Sequence, residues 1–119
     1  GYVPVIAPQA ISYESEALNV DGDRAAAAIA AALDADTLVI LTNVPGLLKD
    51  VDDELSLIKH IPQFQAEDYL DRYAKGRMKR KVLGAVEAMA DGVGRVIIAD
   101  GREESPVQNA LSGQGTVIE

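Results

Sequence analysis

The segment Asn19–Leu33, with the sequence NVDGDRAAAAIAAAL, decides the fold of this chain because it joins a polar turn to an alanine-rich helix. Asp21 or Asp23 can cap that helix, since carboxylate oxygens accept hydrogen bonds from the free N–H groups of a first turn. The alanines let the helix backbone lie close to a sheet, and Ile29 and Leu33, its only large apolar side chains, are expected to anchor its packing. Taken alone, this turn favours a capped core helix over an anion-binding site.

Outward from this helix, two continuous apolar runs predict strands buried on both faces of a parallel sheet, Thr37–Leu41 and Arg95–Ala99. Further helices are predicted over 66–72, from Met78 to Gly92, and over 106–111. Weaker patterns predict short strands over 2–7, 18–21, 57–61 and 114–118, the first of them near a sheet edge because prolines interrupt it. Strands that alternate with helices in this way predict one α/β domain.

The composition limits the class of protein. A chain of 119 residues that is 48% apolar can bury one core, and the absence of cysteine excludes disulfides and thiolate metal sites. No apolar run is long enough to span a bilayer and no signal peptide is visible, so we expect a cytoplasmic protein. A net charge of −8 argues against a general binder of nucleic acids or membrane surfaces. Because the sequence opens at Gly1 within β-rich residues, we expect a piece of a longer protein.

A basic segment interrupts this acidic chain. Six of the eleven basic residues fall within ten positions, namely Arg72, Lys75, Arg77, Lys79, Arg80 and Lys81. Clustered positive charges at the start of a helix repel one another and oppose the helix dipole, so a phosphate or an acidic partner is expected to compensate them. Lys81 borders the buried face, between Met78 and Val82, and is expected to reach inward. Arg77, Lys79 and Arg80 should point outward, and for Lys79 and Arg80 a solvated basic face is an equal alternative.

Other polar features of the sequence give weaker indications of function. The acidic turn 50–54 (DVDDE) lacks the spacing of a calcium loop, and His60 has no partner at metal-ligand spacing. The chain contains no Walker A sequence, and its G-x-G elements at 92–94 and 113–115 lack the strand-to-helix context of a phosphate loop. Only Tyr69 and Tyr73 lie near the basic segment, too few aromatic residues for a typical nucleic-acid site. A nucleotide is therefore the preferred anion.

Four separated stretches resemble the ATP-binding half of the amino acid kinase family, which includes N-acetylglutamate kinase. They are NVDGDRAA, LTNVPGLL, GRMKRKVLGAVEA and ADGREESPVQNALSGQGTVI, and together they extend over essentially the whole chain. The motifs EALNVDGD and GRMKRKV are similar to those of the branch that phosphorylates aminoadipate or glutamate on the small acidic carrier LysW. N-acetylglutamate kinases more usually have N-I-N-A-D and G-G-M-x-x-K at these places. The fold implied is a three-layer αβα sandwich with a mainly parallel sheet.

The resemblance also implies residue roles. Asn19 matches the residue that binds the amino-acid end of the substrate, Asp23 the aspartate that orients the catalytic lysines, and Lys81 the lysine that stabilises the transition state. Arg77, Lys79 and Arg80 are the expected carrier contacts. The nucleotide pocket would be lined by Asn43, Val44, Pro45, Gly46, Leu47, Leu48, Tyr73, Ala74, Lys75 and Met78. Many relatives have aspartate at position 43, so a charge-dependent role there is in doubt, and Asn43 is otherwise a turn former.

The implied activity is transfer of the γ-phosphoryl group of ATP, with nucleotide-bound Mg²⁺, to a side-chain carboxylate in lysine or arginine biosynthesis. Family members also have an amino-terminal half with a lysine and glycine-rich phosphate loops, and they are commonly dimers built through it. Residues 1–119 would then be the nucleotide-binding half, able to bind ATP but inactive alone. Two alternatives stay open: a kinase for free N-acetylglutamate, and a non-catalytic module that binds a nucleotide or an amino acid.

Overall fold

The computed structural model describes residues 1–119 and contains four helices and six strands. The helices are α1 (Gly22–Ala32), α2 (Ala66–Tyr73), α3 (Arg77–Ala90) and α4 (Pro106–Leu111). The strands are β1 (Gln9–Ile11), β2 (Ala17–Asn19), β3 (Thr37–Thr42), β4 (His60–Ile61), β5 (Arg95–Asp100) and β6 (Thr116–Ile118). Two 3₁₀ turns, Glu54–Ser56 and Gln63–Gln65, precede β4 and α2 respectively. No helix is both long and apolar enough to cross a membrane.

A four-stranded sheet in the order β3-β5-β6-β4 forms the centre of the molecule. β3 runs parallel to β5, β4 runs parallel to β6, and only the β5–β6 pair is antiparallel. In the register of the first pair Thr42 lies opposite Asp100, so β3 and β5 end at the same edge of the sheet. The predicted α/β class with a mainly parallel sheet is confirmed.

Helices cover both faces of this sheet. Alternate residues of β5 point to opposite sides: Val96 and Ile98 belong to the large core, to which α1, α2 and α3 also contribute. Ile97 and Ala99 pack with Ala110 of α4 on the other face. This alternation follows from the two-residue period of a strand, and it gives the three-layer αβα arrangement that the resemblance implies.

The helix α1 forms as its sequence predicts. Asp21 is the N-cap, and its side chain accepts a hydrogen bond from the Arg24 backbone N–H at 3.1 Å. The side chains that it buries are alanines, Ala27 and Ala30, and these allow α3 to pack closely. The expectation that Leu33 contributes to this packing is wrong, because Leu33 follows the last turn of the helix and is 70% exposed.

The strand predictions are less accurate. Residues 2–7 form no strand, because Pro4 and Pro8 remove backbone donors and no other strand pairs with this segment. An antiparallel hairpin of β1 and β2 follows instead, with Gln9 opposite Asn19. The prediction that both faces of β3 and β5 are buried is correct for β5. It is wrong for the end of β3, where Leu41 is exposed because β3 is an outer strand.

Candidate functional site

A polar cavity of about 310 Å³ lies beside the carboxyl end of β3 and has no hydrophobic residue in its lining. We call it the lysine cavity. Three elements supply its walls: the start of α1, the end of β3 with the residue after it, and the first turns of α3. Its lining residues are Asp21, Asp23, Thr42, Asn43, Arg77, Arg80 and Lys81.

Lys81 and Asp23 form an ion pair inside the lysine cavity. The Lys81 Nζ lies 3.0 Å from Asp23 Oδ1 and 3.2 Å from Oδ2, and their side chains are only 17% and 24% exposed. Asp23 lies in the first turn of α1, where the helix dipole favours a carboxylate. Lys81 can reach Asp23 because α1 and α3 approach closely at Gly84, where a Cβ atom would lie 3.3 Å from the Asp23 carbonyl oxygen.

Positive charge exceeds negative charge in this cavity. Three cationic side chains, Lys81, Arg77 and Arg80, face two carboxylates, Asp21 and Asp23. Arg80 Nη1 is 3.8 Å from Asp21 Oδ2, a loose contact, and Arg77 forms no ion pair. A bound anion would therefore balance the charge and give Arg77 a partner.

A second, more apolar cavity of about 200 Å³ adjoins the first, and we call it the loop slot. The two cavities share Thr42, Asn43 and Arg77. Its remaining lining is Val44, Gly46, Leu47, Leu48, Val51, Tyr73, Lys75 and Met78. A largely apolar slot beside a cavity with an excess of positive charge matches the two parts of a nucleotide, a flat base and a chain of phosphates.

The start of α3 lies where the two cavities meet. Its N-cap residue, Gly76, has φ +54°, a left-handed conformation that favours glycine, and supplies no side-chain cap. The first turn has no acidic residue, and Arg77 is the first residue of the helix. Two sources of positive charge thus face the same space. One is the N-terminal end of α3, a 14-residue helix, and the other is Arg77, which has no ion pair.

Most of the nucleotide-pocket residues expected from the sequence line the loop slot, but two do not. Pro45 lines a different cavity on the far side of its loop. Ala74 is buried in the core and is absent from the lining of the slot. Tyr73 does line it, with its ring 5.6 Å from that of Tyr69.

The other expected contacts divide into two groups. Arg77 and Arg80, predicted to point outward to a carrier, are exposed as predicted and also line the lysine cavity. Lys79 is exposed and lines no described cavity, as expected for an outward residue. Asn19 ends β2 in the exposed hairpin and lines neither the lysine cavity nor the loop slot.

Sequence reasoning missed a charged cluster at the end of β5. The Arg102 guanidinium lies 2.6 Å from Asp100 Oδ2 and 3.2 Å from Glu54 Oε1. Hydrogen bonds from Arg102 hold the pKa of Asp100 below its usual value, and both carboxylates raise the pKa of Arg102. Because two carboxylates already satisfy Arg102, the cluster is a structural clamp between β5 and the 3₁₀ turn Glu54–Ser56. The sequence offered one sign of it, the Asp100-Gly101 turn at the end of a buried strand.

No group of three or more His, Asp or Glu side chains is arranged to hold a metal ion. In the acidic turn 50–54, Asp50 and Asp53 accept hydrogen bonds from the backbone N–H groups of Asp52 and Leu55. These carboxylates shape the turn. A divalent ion in the lysine cavity would therefore depend on oxygens brought by a ligand.

The sequence model described as the amino acid kinase family matches residues 1–100 of the chain. Among curated proteins, the chain is 58% identical over 118 residues to a [LysW]-aminoadipate kinase from Deinococcus radiodurans, with 99% of this chain and 40% of the relative covered. It is 56% identical over 120 residues to a [LysW]-aminoadipate kinase from Thermus thermophilus, with 99% of this chain and 44% of the relative covered. The chain thus spans less than half the length of these relatives.

Among solved structures, the fold is similar to that of N-acetylglutamate synthase from Neisseria gonorrhoeae, complexed with coenzyme A and N-acetyl-glutamate. The TM-score is 0.80 and the sequence identity 31%, with 93% of this chain and 26% of that chain covered. The similarity extends over nearly all of the αβα sandwich described above.

Proposed function

This chain belongs to the amino acid kinase family, and from that membership we propose that it is the nucleotide-binding part of an ATP-dependent carboxylate kinase. The acceptor that we propose is aminoadipate or glutamate carried on LysW, because both curated relatives described above are named [LysW]-aminoadipate kinases. The single observation that carries the proposal is the lysine cavity, in which the Lys81–Asp23 pair lies next to an apolar slot.

The chemistry needs charge neutralisation and no general base. An oxygen of the acceptor carboxylate attacks the γ-phosphorus of ATP, the bond from that phosphorus to the bridging β,γ-oxygen breaks, and ADP leaves with the electron pair. The products are an acyl phosphate and ADP. Since the acceptor is already ionised at neutral pH, no proton has to move. Negative charge on the transferring group and on the leaving oxygen is what the protein must stabilise.

The residues of the lysine cavity match this requirement. We propose that the Lys81 ammonium contacts the transferring phosphoryl oxygens, and that Asp23 holds the ammonium in place through its 3.0 Å contact. Arg77 is the first residue of α3 and lines both cavities, so we propose that it contacts the phosphates between base and γ-phosphoryl. The adenine would occupy the loop slot between the 43–48 loop and Tyr73. Mg²⁺ would enter on the phosphates and supply further charge neutralisation.

Carrier recognition is proposed for the outward side of α3 and for Asn19. Lys79 is exposed next to the lysine cavity, and the chain as a whole has a charge of −8, so its basic residues form a local patch. An acidic carrier would be attracted to that patch over long range. Asn19, two residues before the cavity wall at Asp21, would contact the amino-acid end of the acceptor.

We also propose that transfer requires the part of the relatives' length that this chain does not match. The relatives are more than twice as long as the matched region. Neither the lysine cavity nor the loop slot is enclosed by this chain, so the acceptor and further phosphate contacts would come from that other part. On this proposal, the 119 residues bind the nucleotide and do not turn it over.

A chimaera tests the proposal. In it, this chain replaces the matched 44% of the Thermus thermophilus relative, and ADP release is measured with carrier-bound aminoadipate, carrier-bound glutamate and free N-acetylglutamate. We expect turnover with a carrier-bound acceptor, and the unmodified relative is the control for the assay. Turnover only with free N-acetylglutamate would mean that the acceptor is this small molecule and that no carrier is required. Nucleotide binding without any turnover would support a non-catalytic module.

A further inference from the structure

Thr116 is the only buried residue of the chain that has a polar side chain. Its hydroxyl oxygen accepts a hydrogen bond from the Leu47 backbone N–H at 2.8 Å and donates one to the Ile58 carbonyl oxygen at 2.7 Å. The residue belongs to β6, while its two partners lie in the loop after β3 and in the segment before β4. We call this arrangement the Thr116 bridge.

The Thr116 bridge ends a short ladder within the loop that follows β3. The Ile58 N–H donates to the Leu47 carbonyl oxygen at 2.8 Å, Leu48 forms a β-bridge with Leu57, and the Lys49 N–H donates to the Ser56 carbonyl oxygen at 3.1 Å. Both backbone groups of Leu47 are therefore satisfied, its C=O by Ile58 and its N–H by Thr116.

Close packing joins the same loop to Thr116. A Cβ atom at Gly46 would lie 2.6 Å from Thr116 Oγ1 and 2.8 Å from Leu57 Cδ1, so no larger residue fits at position 46. Gly46, Leu47 and Leu48 line the loop slot, whereas Thr116 does not. The hydroxyl thus lies directly behind one wall of the slot and out of reach of its contents.

A buried strand position of this kind normally suits valine, whose size and branching match those of threonine. A hydroxyl there is unfavourable unless it is hydrogen-bonded, and this one is fully used as both donor and acceptor. Replacing it with a methyl group would leave a buried N–H and a buried C=O without partners. The loop could satisfy them only by moving toward water, and this movement would displace the slot wall.

We propose that Thr116 is a positioning residue for nucleotide binding, which acts by fixing Leu47 and hence the wall of the loop slot. The inference rests on the proposed function, since it assigns the slot to the base of the nucleotide. It implies that the hydroxyl sets nucleotide affinity without touching the nucleotide.

The test compares Thr116→Val, Thr116→Ser and the control Thr37→Val in the 119-residue chain. Thr37 is a half-buried threonine at the opposite end of β3, where its hydroxyl accepts a hydrogen bond from Arg95 at 3.3 Å. Binding of a fluorescent N-methylanthraniloyl ATP is measured well below each variant's melting temperature. We expect Thr116→Val to raise Kd by about tenfold or more, and Thr116→Ser and Thr37→Val to stay within about threefold of wild type.

Amide hydrogen exchange supplies a second readout that does not depend on the nucleotide. In Thr116→Val the Leu47 amide should exchange at least about tenfold faster, while amides in the middle of β5 keep their protection. A valine variant with unchanged Kd, or with a raised Kd but unchanged exchange at Leu47, would overturn the inference. If the wild type binds no nucleotide, the proposed function fails and the role of Thr116 in binding fails with it; if the wild type binds and the valine variant binds equally well, only the Thr116 inference fails.

Discussion

Single residues determine what the lysine cavity can bind. The pair formed by Lys81 and Asp23 is mostly enclosed, so its charges are screened less by water than those of an exposed pair. Lys81 reaches inward, as its sequence position between Met78 and Val82 predicts. Its partner was not predictable from spacing, because the two residues are 58 positions apart and meet only when α1 packs on α3.

Replacing Lys81 with methionine should abolish most of the transfer activity while the fold persists. Methionine keeps the apolar stem and removes one positioned charge, and loss of such a charge typically lowers turnover by about 100-fold or more. Steady-state kinetics of the chimaera and thermal unfolding of the chain would measure the two effects. Lys79→Met is the matched control, because it makes the same change two residues away outside the cavity and should leave kcat unchanged. A near-normal kcat for Lys81→Met would remove Lys81 from the mechanism.

The clamp at Asp100 predicts a specific dependence of stability on pH. Because the folded-state pKa of Asp100 is lowered from 3.8, ionised Asp100 stabilises the fold above pH 3.8, and this stabilisation is lost as pH falls through the lower folded value. Asp100→Asn should therefore unfold at lower denaturant concentration than wild type at pH 7, and the difference should shrink below pH 3.8. Asp52→Asn, an exposed control, should match wild type at both pH values. A difference for Asp100→Asn that is constant with pH would contradict the clamp.

The elements show which features a sequence can specify. α2, α3 and α4 lie within a residue or two of their predicted bounds, because apolar spacing and helix ends are local properties. Strands depend on partners that may be distant in sequence. The β-branched run at 2–7 therefore satisfied the local pattern without forming a strand, and the antiparallel direction of β6 could not be read from its three residues.

The same limit applies to the candidate site. The loop after β3 and the first turn of α3 were identifiable as site segments, and most of their residues line the slot. Which side of the loop each residue faces is a tertiary property, so Pro45 and Ala74 could not be separated from their neighbours. Thr116 was missed because nothing in the local sequence indicates that a buried hydroxyl joins two other segments.

Gly84 should control the distance between α1 and α3. Its missing side chain lets the Asp23 backbone come close, so Gly84→Val should separate the two helices and lengthen the Lys81–Asp23 contact. Overpacking of this kind typically costs about 1–3 kcal/mol, and we expect that loss of stability together with a fall in kcat of the chimaera. Chemical denaturation and kinetics measure the two.

Ala90→Val is the control for Gly84→Val, since it places the same side chain at an exposed position of the same helix. The control should lose little stability and no turnover. If Gly84→Val lowers stability but leaves kcat unchanged, helix spacing does not govern the catalytic pair.

Over the whole molecule, the charge distribution is what should direct a carrier. The net charge of −8 repels acidic proteins except near α3, so Lys79→Glu should raise the KM for carrier-bound acceptor in the chimaera and weaken its dependence on salt, with kcat unchanged. Lys59→Glu makes the same charge change at an exposed position beside the Asp100–Arg102 cluster, outside both cavities of the proposed site, and should have a smaller effect. Equal effects of the two substitutions would mean that net charge alone, and no local patch, attracts the carrier.

The measurement that most directly tests whether the lysine cavity and the loop slot form one nucleotide site is a titration of the ¹⁵N-labelled chain with MgATP, followed by ¹H–¹⁵N correlation spectra. We expect the largest amide shifts in residues 42–48 and 73–81, with small shifts in α4, which packs on the opposite face of the sheet. Shifts confined to α4, or none at saturating MgATP, would contradict a single nucleotide site.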